Sequence, residues 1–200
     1  MRSDNFVIEH GGQVPAFLVQ AQEKLRGKGT IKAVIKDIEG CFPNMDKQVI
    51  KKALSEELQR ITQATGYDAI SIPSKKTAQC SLKPTKRKGD IRIPFEDLLQ
   101  IMRFALENTL MRDLDGQLWR QTKGIPMGDP HSPGMCVGAC GWMEHEWMQT
   151  LSDETKANFV ARRFMDDILL LHIEAPGFDH EELTKRFCKS ECYKPPLTLE

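Results

Sequence analysis

An excess of charge of either sign is absent from this sequence of 200 residues. The 28 lysines and arginines equal the 28 aspartates and glutamates in number, so the formal net charge is zero. Proteins that bind nucleic acid over a broad surface usually carry a net positive charge, and this chain does not. Contact with phosphates would therefore depend on local basic segments. Internal repeats and low-complexity tracts are also missing, and the length fits one domain.

Long apolar runs are absent too. No stretch reaches the roughly 20 apolar residues that cross a bilayer, and the N-terminal residues show no secretory signal pattern. We therefore expect an intracellular protein that has no membrane partner and keeps its six cysteines reduced. Cys136 and Cys140, like Cys188 and Cys192, are spaced four residues apart. Zinc pairs usually have tighter spacing on turns, so close helix packing is the favoured interpretation.

Two adjacent acids, Asp166 and Asp167, lie between short apolar stretches in residues 159–171. This pattern predicts a β-hairpin whose tight turn carries both carboxylates. Adjacent like charges repel, and burying them is costly unless a cation neutralises them. Hard oxygen ligands suit Mg²⁺ or Mn²⁺. Aspartate also favours turns for local reasons, so the pair alone does not define a catalytic site.

A third acid ends an earlier segment. Residues 31–36 are rich in β-branched side chains, which predicts a strand, and Asp37 follows them. A strand end and a hairpin turn can converge at one edge of a sheet. Convergence would place Asp37, Asp166 and Asp167 in one cluster, which is enough for a two-metal site for phosphoryl transfer.

A loop dense in glycine and proline, residues 121–134, separates these acids along the chain. Proline fixes φ and glycine lacks a Cβ, so the loop combines stiff and permissive positions. Ser132 followed by Pro133 predicts a helix start, with Ser132 as the N-cap. A glycine-rich loop that opens a helix lets the backbone approach a nucleotide or a base pair closely. An ordinary connecting loop is the alternative, although this composition is unusual for one.

Taken together, these segments resemble the palm of a reverse transcriptase. Residues 36–42 are similar to the first motif of that family, 124–133 to the second and 164–167 to the third. The order and spacing of the three motifs match the family over about residues 31–200. Met127 stands where many reverse transcriptases carry glutamine. Together with residues 118–121 and 41–45, it is most similar to the Penelope-like retroelement group.

The resemblance implies an α+β fold, the right-hand polymerase palm, with an antiparallel sheet and helices packed on one face. Residues 1–30 would be an N-terminal helical lead-in, a remnant of the fingers. Residues 31–200 would be the palm core, with a basic insertion at about 66–93. The fingers would be partial and the thumb missing, and we expect both regions in a full-length protein.

The resemblance also implies roles for single residues. The catalytic residues would be Asp37, Asp166 and Asp167. Two Mg²⁺ or Mn²⁺ ions would be held by Asp37, Asp166 and the carbonyl of Ile38, with Asp167 as a weaker partner.

Nucleotide binding is assigned by the same resemblance to Phe42, Met127 and Gly128. Phe42, five residues after Asp37, would be a steric gate that leaves no room for a 2′-hydroxyl. Gly128 would allow the backbone to approach the incoming nucleotide. Asp129 stands where serine is usual and would add an acid near the template strand.

The implied activity is that of an RNA-directed DNA polymerase, with an RNA template, a DNA primer and deoxynucleoside triphosphates as partners. Three alternatives stay open. An RNA-dependent RNA polymerase shares the palm, but the position of Phe42 is usually an acid there. A non-catalytic, retroelement-derived scaffold that binds nucleic acid would not need the complete acid set. A metal-dependent nuclease would explain the acids but not the glycine-proline loop.

Positive charge is concentrated in the insertion, which is predicted to be an exposed loop or hairpin. Contact with the phosphates of a template–primer duplex is one interpretation, and a solvated insertion is the other. The candidate residues are Lys75, Lys76, Lys83, Lys86, Arg87 and Lys88.

Apolar periodicity and turn residues predict the remaining elements. Asp115 and Gly116 mark a hairpin turn, and residues 197–200 have the pattern of a strand start. Helices are expected at about 15–24, 46–64, 94–111 and 179–189, and from Ser132 onward.

Overall fold

Helices and strands are interspersed along the chain, as expected for an α+β fold. The computed structural model describes residues 6–75, 79–85 and 87–200. The helices are α1 (Val14–Leu25), α2 (Cys41–Asn44), α3 (Lys47–Thr65), α4 (Phe95–Glu107), α5 (Ser132–Thr150), α6 (Asp153–Ala157) and α7 (His180–Arg186), with a 3₁₀ turn at Gly11–Gln13 and a π turn at Phe187–Glu191. The strands are β1 (Thr30–Asp37), β2 (Ala69–Ile72), β3 (Ile91–Pro94), β4 (Leu110–Arg112), β5 (Leu118–Arg120), β6 (Phe159–Phe164) and β7 (Asp167–Glu174).

The principal sheet is antiparallel and has the strand order β1-β7-β6. Short pairings extend it on both sides. Beside β6, the Ile8 amide donates to the Arg163 carbonyl at 2.9 Å. At the end of β1, Asp37 and Glu200 exchange two backbone hydrogen bonds of 3.1 Å each. The strand pattern at residues 197–200 therefore corresponds to a real, short pairing.

Both faces of this sheet are covered. Side chains alternate between faces along a strand, and in β7 Ile168 and Leu170 join the main apolar core with α5. Leu171 and Ile173 point to the opposite face, where they pack against Phe17, Ala21 and Leu25 of α1. The prediction that helices pack on one face only is therefore wrong. Apolar residues on both faces of β7 require cover, and α1 provides it on the second face.

Helix α5 is the central element of the main core. Its buried residues occur around most of its circumference, as in a helix enclosed on all sides. The predicted N-cap is wrong by one residue: the cap position is His131, and the Ser132 hydroxyl is buried without a hydrogen-bond partner. Asp129 organises the turn instead, because its carboxylate accepts from the His131 amide at 2.9 Å.

Other predicted elements are found close to their expected bounds. Asp46 caps α3 by accepting from the Gln48 amide at 2.8 Å. Helix α4 ends at Glu107, earlier than expected, because β4 begins at Leu110 and pairs with β5. The hairpin between these strands turns at Gly116, with φ of 82°, which confirms the predicted turn.

The insertion folds into a two-stranded ribbon of β2 and β3. The division of the chain at residue 30 stays a prediction, although α1 shares a buried cluster with β7. Among the described residues, no helix is both long enough and apolar enough to cross a membrane.

Candidate active site

The structure brings the three acidic residues together at one end of the principal sheet. Asp37, the last residue of β1, is the register partner of Asp167, the first residue of β7. Asp166 lies in the two-residue turn that joins β6 to β7, and its carbonyl accepts from the Ile38 amide at 3.1 Å. Asp37 and Asp166 are half-buried, and Asp167 is exposed. The convergence follows from the antiparallel pairing of β1 with β7.

Electrostatic repulsion acts on this group. Burial raises the pKa of Asp37, and the negative charges of Asp166, Asp167 and Glu200 raise it further. Glu200 is a fourth acid, placed beside Asp37 by their backbone pairing. A site that disfavours its own negative charge gains stability when a cation is bound.

The donor chemistry fits a hard divalent cation. Carboxylates from two neighbouring strands supply the oxygen ligands that Mg²⁺ and Mn²⁺ prefer. The carbonyl of Ile38 accepts from the Cys41 amide at 3.1 Å, and a carbonyl has a second lone pair available. The three carboxylates are not drawn tightly together: among the described residues, the one trio of possible ligand side chains with all its atoms within 4.8 Å is formed by cysteines.

A buried arginine supports the turn that carries the acids. Met165, directly before Asp166, has φ of 56° and is the non-glycine residue with positive φ among those described. Arg163 is fully buried, and its Nη1 donates to the Met165 carbonyl at 2.6 Å. Its Nη2 also donates to the Val137 carbonyl in α5 at 3.4 Å. The turn is therefore connected to the core behind it.

Glu144 of α5 is the counter-charge of Arg163. The two side chains form an ion pair with no exposure on either partner. Burial raises the pKa of Glu144, and the Arg163 charge opposes that shift. The carboxylate also accepts from the Tyr193 hydroxyl and the Phe6 amide, each at 2.8 Å. Every part of this buried pair is thus hydrogen-bonded, as buried charges require.

The glycine-proline loop rests on the backbone that follows β1. The Phe42 carbonyl accepts from the Ile125 amide at 2.9 Å. Gly124 has φ of 66°, and a Cβ there would lie 2.4 Å from the Pro43 carbonyl oxygen. Gly128 differs, because an added Cβ would meet no atom within 4 Å. The glycine that the fold itself requires is therefore Gly124, whereas Gly128 faces open space.

Phe42 and Met127 occupy different environments. Phe42 is half-buried and packs against the main core. Met127 is 76% exposed, on the same loop as Gly128. The Asp129 carboxylate is hydrogen-bonded to the His131 amide and ring, and these bonds lower its pKa.

A cleft of about 690 Å³ is lined by Pro43 and the residues that follow it, next to Phe42. No pattern in the sequence predicts this cleft. Segments from the α2–α3 region and from the start of the glycine-proline loop form its walls. Lys47 is held inside by hydrogen bonds to the carbonyls of Leu106 and Gln121, at 2.6 and 2.7 Å. The basic residues that line the cleft are Lys47, Lys51, Arg120 and Lys123.

The basic candidates of the insertion lie on the segment that joins β2 to β3. In the described part of this segment, the Asp90 carboxylate accepts hydrogen bonds from Thr85 and Ser74, and these bonds lower its pKa. Lys76 and Lys86 lie outside the described residues. The exposed candidates are Lys75, Lys83, Arg87 and Lys88.

Comparison with solved structures gives the fold. Apo telomerase from Candida tropicalis superposes with a TM-score of 0.68 at 13% identity, over 92% of this chain and 29% of that one. The chain has a reverse-transcriptase-like fold. Telomerase from Candida albicans, in complex with the TWJ fragment of telomeric RNA, gives a TM-score of 0.69 at 17% identity, over 100% of this chain and 32% of that one. Telomerase from Candida tropicalis, in complex with the TWJ fragment of telomeric RNA, gives a TM-score of 0.70 at 12% identity, over 98% of this chain and 29% of that one.

These similarities cover under a third of the telomerase chains, and at such identities they show the fold alone. No protein-family model matches the chain, and no curated protein sequence matches it either. The antiparallel sheet and packed helices predicted from sequence are confirmed at this level.

Proposed function

We propose that this chain is the palm of an RNA-directed DNA polymerase, which adds deoxynucleotides to a primer 3′-hydroxyl on an RNA template. The observation that carries the proposal is the register pairing of Asp37 with Asp167, with Asp166 in the adjoining turn. The reverse-transcriptase-like fold supports it. Complexes of the telomerase neighbours with RNA support a nucleic-acid partner.

Asp37 and Asp166 would hold two Mg²⁺ or Mn²⁺ ions, with the Ile38 carbonyl as a further ligand. When bound, such ions lower the pKa of an attacking hydroxyl and stabilise the leaving pyrophosphate. Asp167, the exposed member, would complete the negative potential of the site. Burial and the charges of the neighbouring acids raise the pKa of Asp37, and a bound cation would offset both effects.

The surroundings of the acids would select the substrate. Phe42 would lie beneath the sugar and exclude a 2′-hydroxyl. Met127 and Gly128, both exposed, would contact the templating base and the incoming nucleotide. Arg120 and Lys123 of the cleft would contact phosphates, because cations dominate affinity for a nucleic-acid backbone.

Several finer assignments stay predictions. The Penelope-like group rests on the residue types at Met127, at 118–121 and at 41–45. The fingers and thumb are expected in a longer protein that contains this chain. The exposed lysines of the insertion would contact the duplex.

Amide variants of the acids test the proposal. Asp37→Asn and Asp166→Asn keep the size of each side chain and remove its charge. We expect each variant to lose most of its Mn²⁺ affinity in a calorimetric titration, and to abolish primer extension by this chain or by a longer protein that contains it. Asp153→Asn, a change of the same kind at an exposed residue of α6, should leave both measurements unchanged.

The same measurements separate the alternatives. Full extension by Asp37→Asn or Asp166→Asn would overturn the assignment of these residues. A parent chain that binds nucleic acid but no Mn²⁺ would favour a scaffold. Cleavage of the primer without extension would favour a nuclease.

A further inference from the structure

Three buried cysteines lie between α2 and α5, close to the candidate active site. Cys41 is the first residue of α2, and Cys136 and Cys140 are one turn apart on α5. Their exposed fractions are 2%, 0% and 0%. All three Sγ atoms lie within 4.8 Å of one another, and those of Cys41 and Cys136 are 3.0 Å apart.

The backbone fixes each sulfur from a separate direction. Residues four apart on a helix share one face, so α5 presents two sulfurs side by side. The third comes from a turn that Gly40 permits, with φ of 53°. The Cys41 amide donates to the Ile38 carbonyl at 3.1 Å and anchors that turn to the end of β1. The cluster is thus assembled by the fold.

We propose that Cys41, Cys136 and Cys140 form a binding site for a soft metal ion, Zn²⁺ or Cu⁺. Thiolates are the ligands that select these ions over hard cations. Metal–sulfur bonds of about 2.3 Å place coordinating sulfurs roughly 4 Å apart. Each sulfur pair here can reach that separation with a shift of about 1 Å. The site is distinct from the carboxylate group, which suits hard ions.

The local charge also favours a thiolate in the cluster. Hydrogen bonds from Cys140 and Cys41 lower the pKa of Cys136, and the charge of Arg163 acts in the same direction. Hydrogen bonding to Cys136 and burial raise the pKa of Cys41 and of Cys140, so one thiolate is shared by the cluster. On binding, the metal ion would replace the protons still held by Cys41 and Cys140, and those protons would leave to solvent. No oxidation or reduction is involved.

The ligand number distinguishes the two ions. Among the described residues, no fourth His, Cys, Asp or Glu joins this trio. Structural zinc sites are closed by four ligands, so Zn²⁺ would need a ligand from outside the cluster. Cu⁺ is satisfied by three sulfurs. With either ion bound, metal–sulfur bonds would cross-link the segment after Asp37 to α5 inside the core.

The test is metal binding by the reduced, chelator-stripped chain. Zn²⁺ and Cu⁺ are titrated in separate arms, and bound metal is counted after gel filtration. We expect one equivalent of at least one ion per chain, with a rise in melting temperature. Each of Cys41→Ser, Cys136→Ser and Cys140→Ser should lose that equivalent. Cys80→Ser and Cys188→Ser, outside the trio, should keep it, as should Asp37→Asn.

A second measurement does not depend on variants that fold. The three thiols are buried even without metal, so alkylation is followed in urea at a concentration that opens the metal-free chain. Under that condition bound metal should protect Cys41, Cys136 and Cys140, as read by peptide mass spectrometry, and leave Cys80 reactive. Absence of binding by the parent chain in both arms would overturn the proposal. Equal protection of the cysteines with and without metal, or retention of the ion by Cys41→Ser, would overturn it too.

Discussion

Arg163 Nη1 donates to the carbonyl oxygen of Met165 at 2.6 Å, so a buried guanidinium holds the residue directly before Asp166. Met165 is in the left-handed region, which costs a non-glycine residue roughly 1–2 kcal/mol. The hydrogen bond from Arg163 offsets part of this cost and fixes the direction in which the turn leaves β6. Placement of the acids therefore depends on an interaction inside the core.

Variants at Arg163 should distinguish its contribution to the stability of the fold from its contribution to the position of the turn that carries Asp166. Arg163→Met leaves the Glu144 carboxylate buried without its partner, and breaking a buried pair in this way costs about 3–5 kcal/mol. Arg163→Met combined with Glu144→Leu removes both charges and should recover much of that loss. The double variant should still bind Mn²⁺ poorly, because the Met165 carbonyl has lost its donor.

Urea unfolding and Mn²⁺ titration measure the two effects separately. Arg162→Met is the matched control, because Arg162 stacks over Phe17 on the other face of the sheet, at 4.8 Å from the ring centre. Full Mn²⁺ affinity in the double variant would show that Arg163 does not position the turn.

The two loop glycines should respond in opposite ways. Gly124→Ala places a Cβ against the Pro43 carbonyl at a positive φ, and we expect a loss of at least about 1–2 kcal/mol in unfolding free energy. The Cβ that Gly128→Val adds meets no atom within 4 Å, so this variant should change stability by less than about 0.5 kcal/mol. It should nevertheless weaken nucleotide binding, because the proposed role needs close approach of the ligand. Equal nucleotide affinity in Gly128→Val and the parent would count against that role.

The raised pKa of Asp37 predicts a pH-dependent stability. A carboxyl that holds its proton more tightly when folded destabilises the fold as pH rises through its folded pKa. Without metal, Asp37→Asn should therefore be more stable than the parent at about pH 7, by about 2–4 °C in melting temperature for each kcal/mol of repulsion relieved. The difference should vanish near pH 3, where the carboxyl is protonated in both states.

Thermal melts in chelator across this pH range provide the measurement. Added Mn²⁺ should reverse the order of the two proteins at neutral pH, since the parent alone gains the bound cation. A parent that is more stable than Asp37→Asn in chelator at every pH would contradict the repulsion.

Phe42 should control the choice of sugar. Phe42→Ala removes the ring beneath the proposed sugar position, so ribonucleotides should be admitted with only a modest loss for deoxynucleotides. The expected change in discrimination is about 1–3 kcal/mol, the cost of a clash combined with an unpaired hydroxyl. The ratio of incorporation efficiencies for the two sugars is the measurement, with Phe164→Ala as a control aromatic near the acids. An unchanged ratio would revive the RNA-polymerase alternative.

Local sequence patterns were sufficient to predict features that lie within a single helix or turn. The apolar period of α3, its Asp46 cap and the turn at Gly116 all depend on neighbours within a few residues. The meeting of Asp37 with Asp166 and Asp167 was also predictable, because a strand end and a hairpin turn have few ways to share a sheet edge. The roles of these residues stay predictions.

Other contacts between distant segments were not predictable. Cys41 and Cys136 are separated by 95 positions, and no local pattern links them. The Glu144–Arg163 pair resembles two ordinary surface charges in the sequence, and only burial gives it importance. The second apolar face of β7 was visible as consecutive leucines, which signal a strand covered on both sides. That signal predicts cover on both faces, and the structure identifies α1 as the cover on the second one.

Helix α5 begins at the loop proposed to contact the templating base, and Glu144 lies about 18 Å further along its axis. Through Glu144 and Arg163, the helix is joined to the Met165 carbonyl and hence to Asp166. In the proposed polymerase, a mispaired base that displaced the loop would shift α5, and this shift would reach Asp166 through Glu144 and Arg163. Copying fidelity would then be enforced in the chemical step as well as in nucleotide selection.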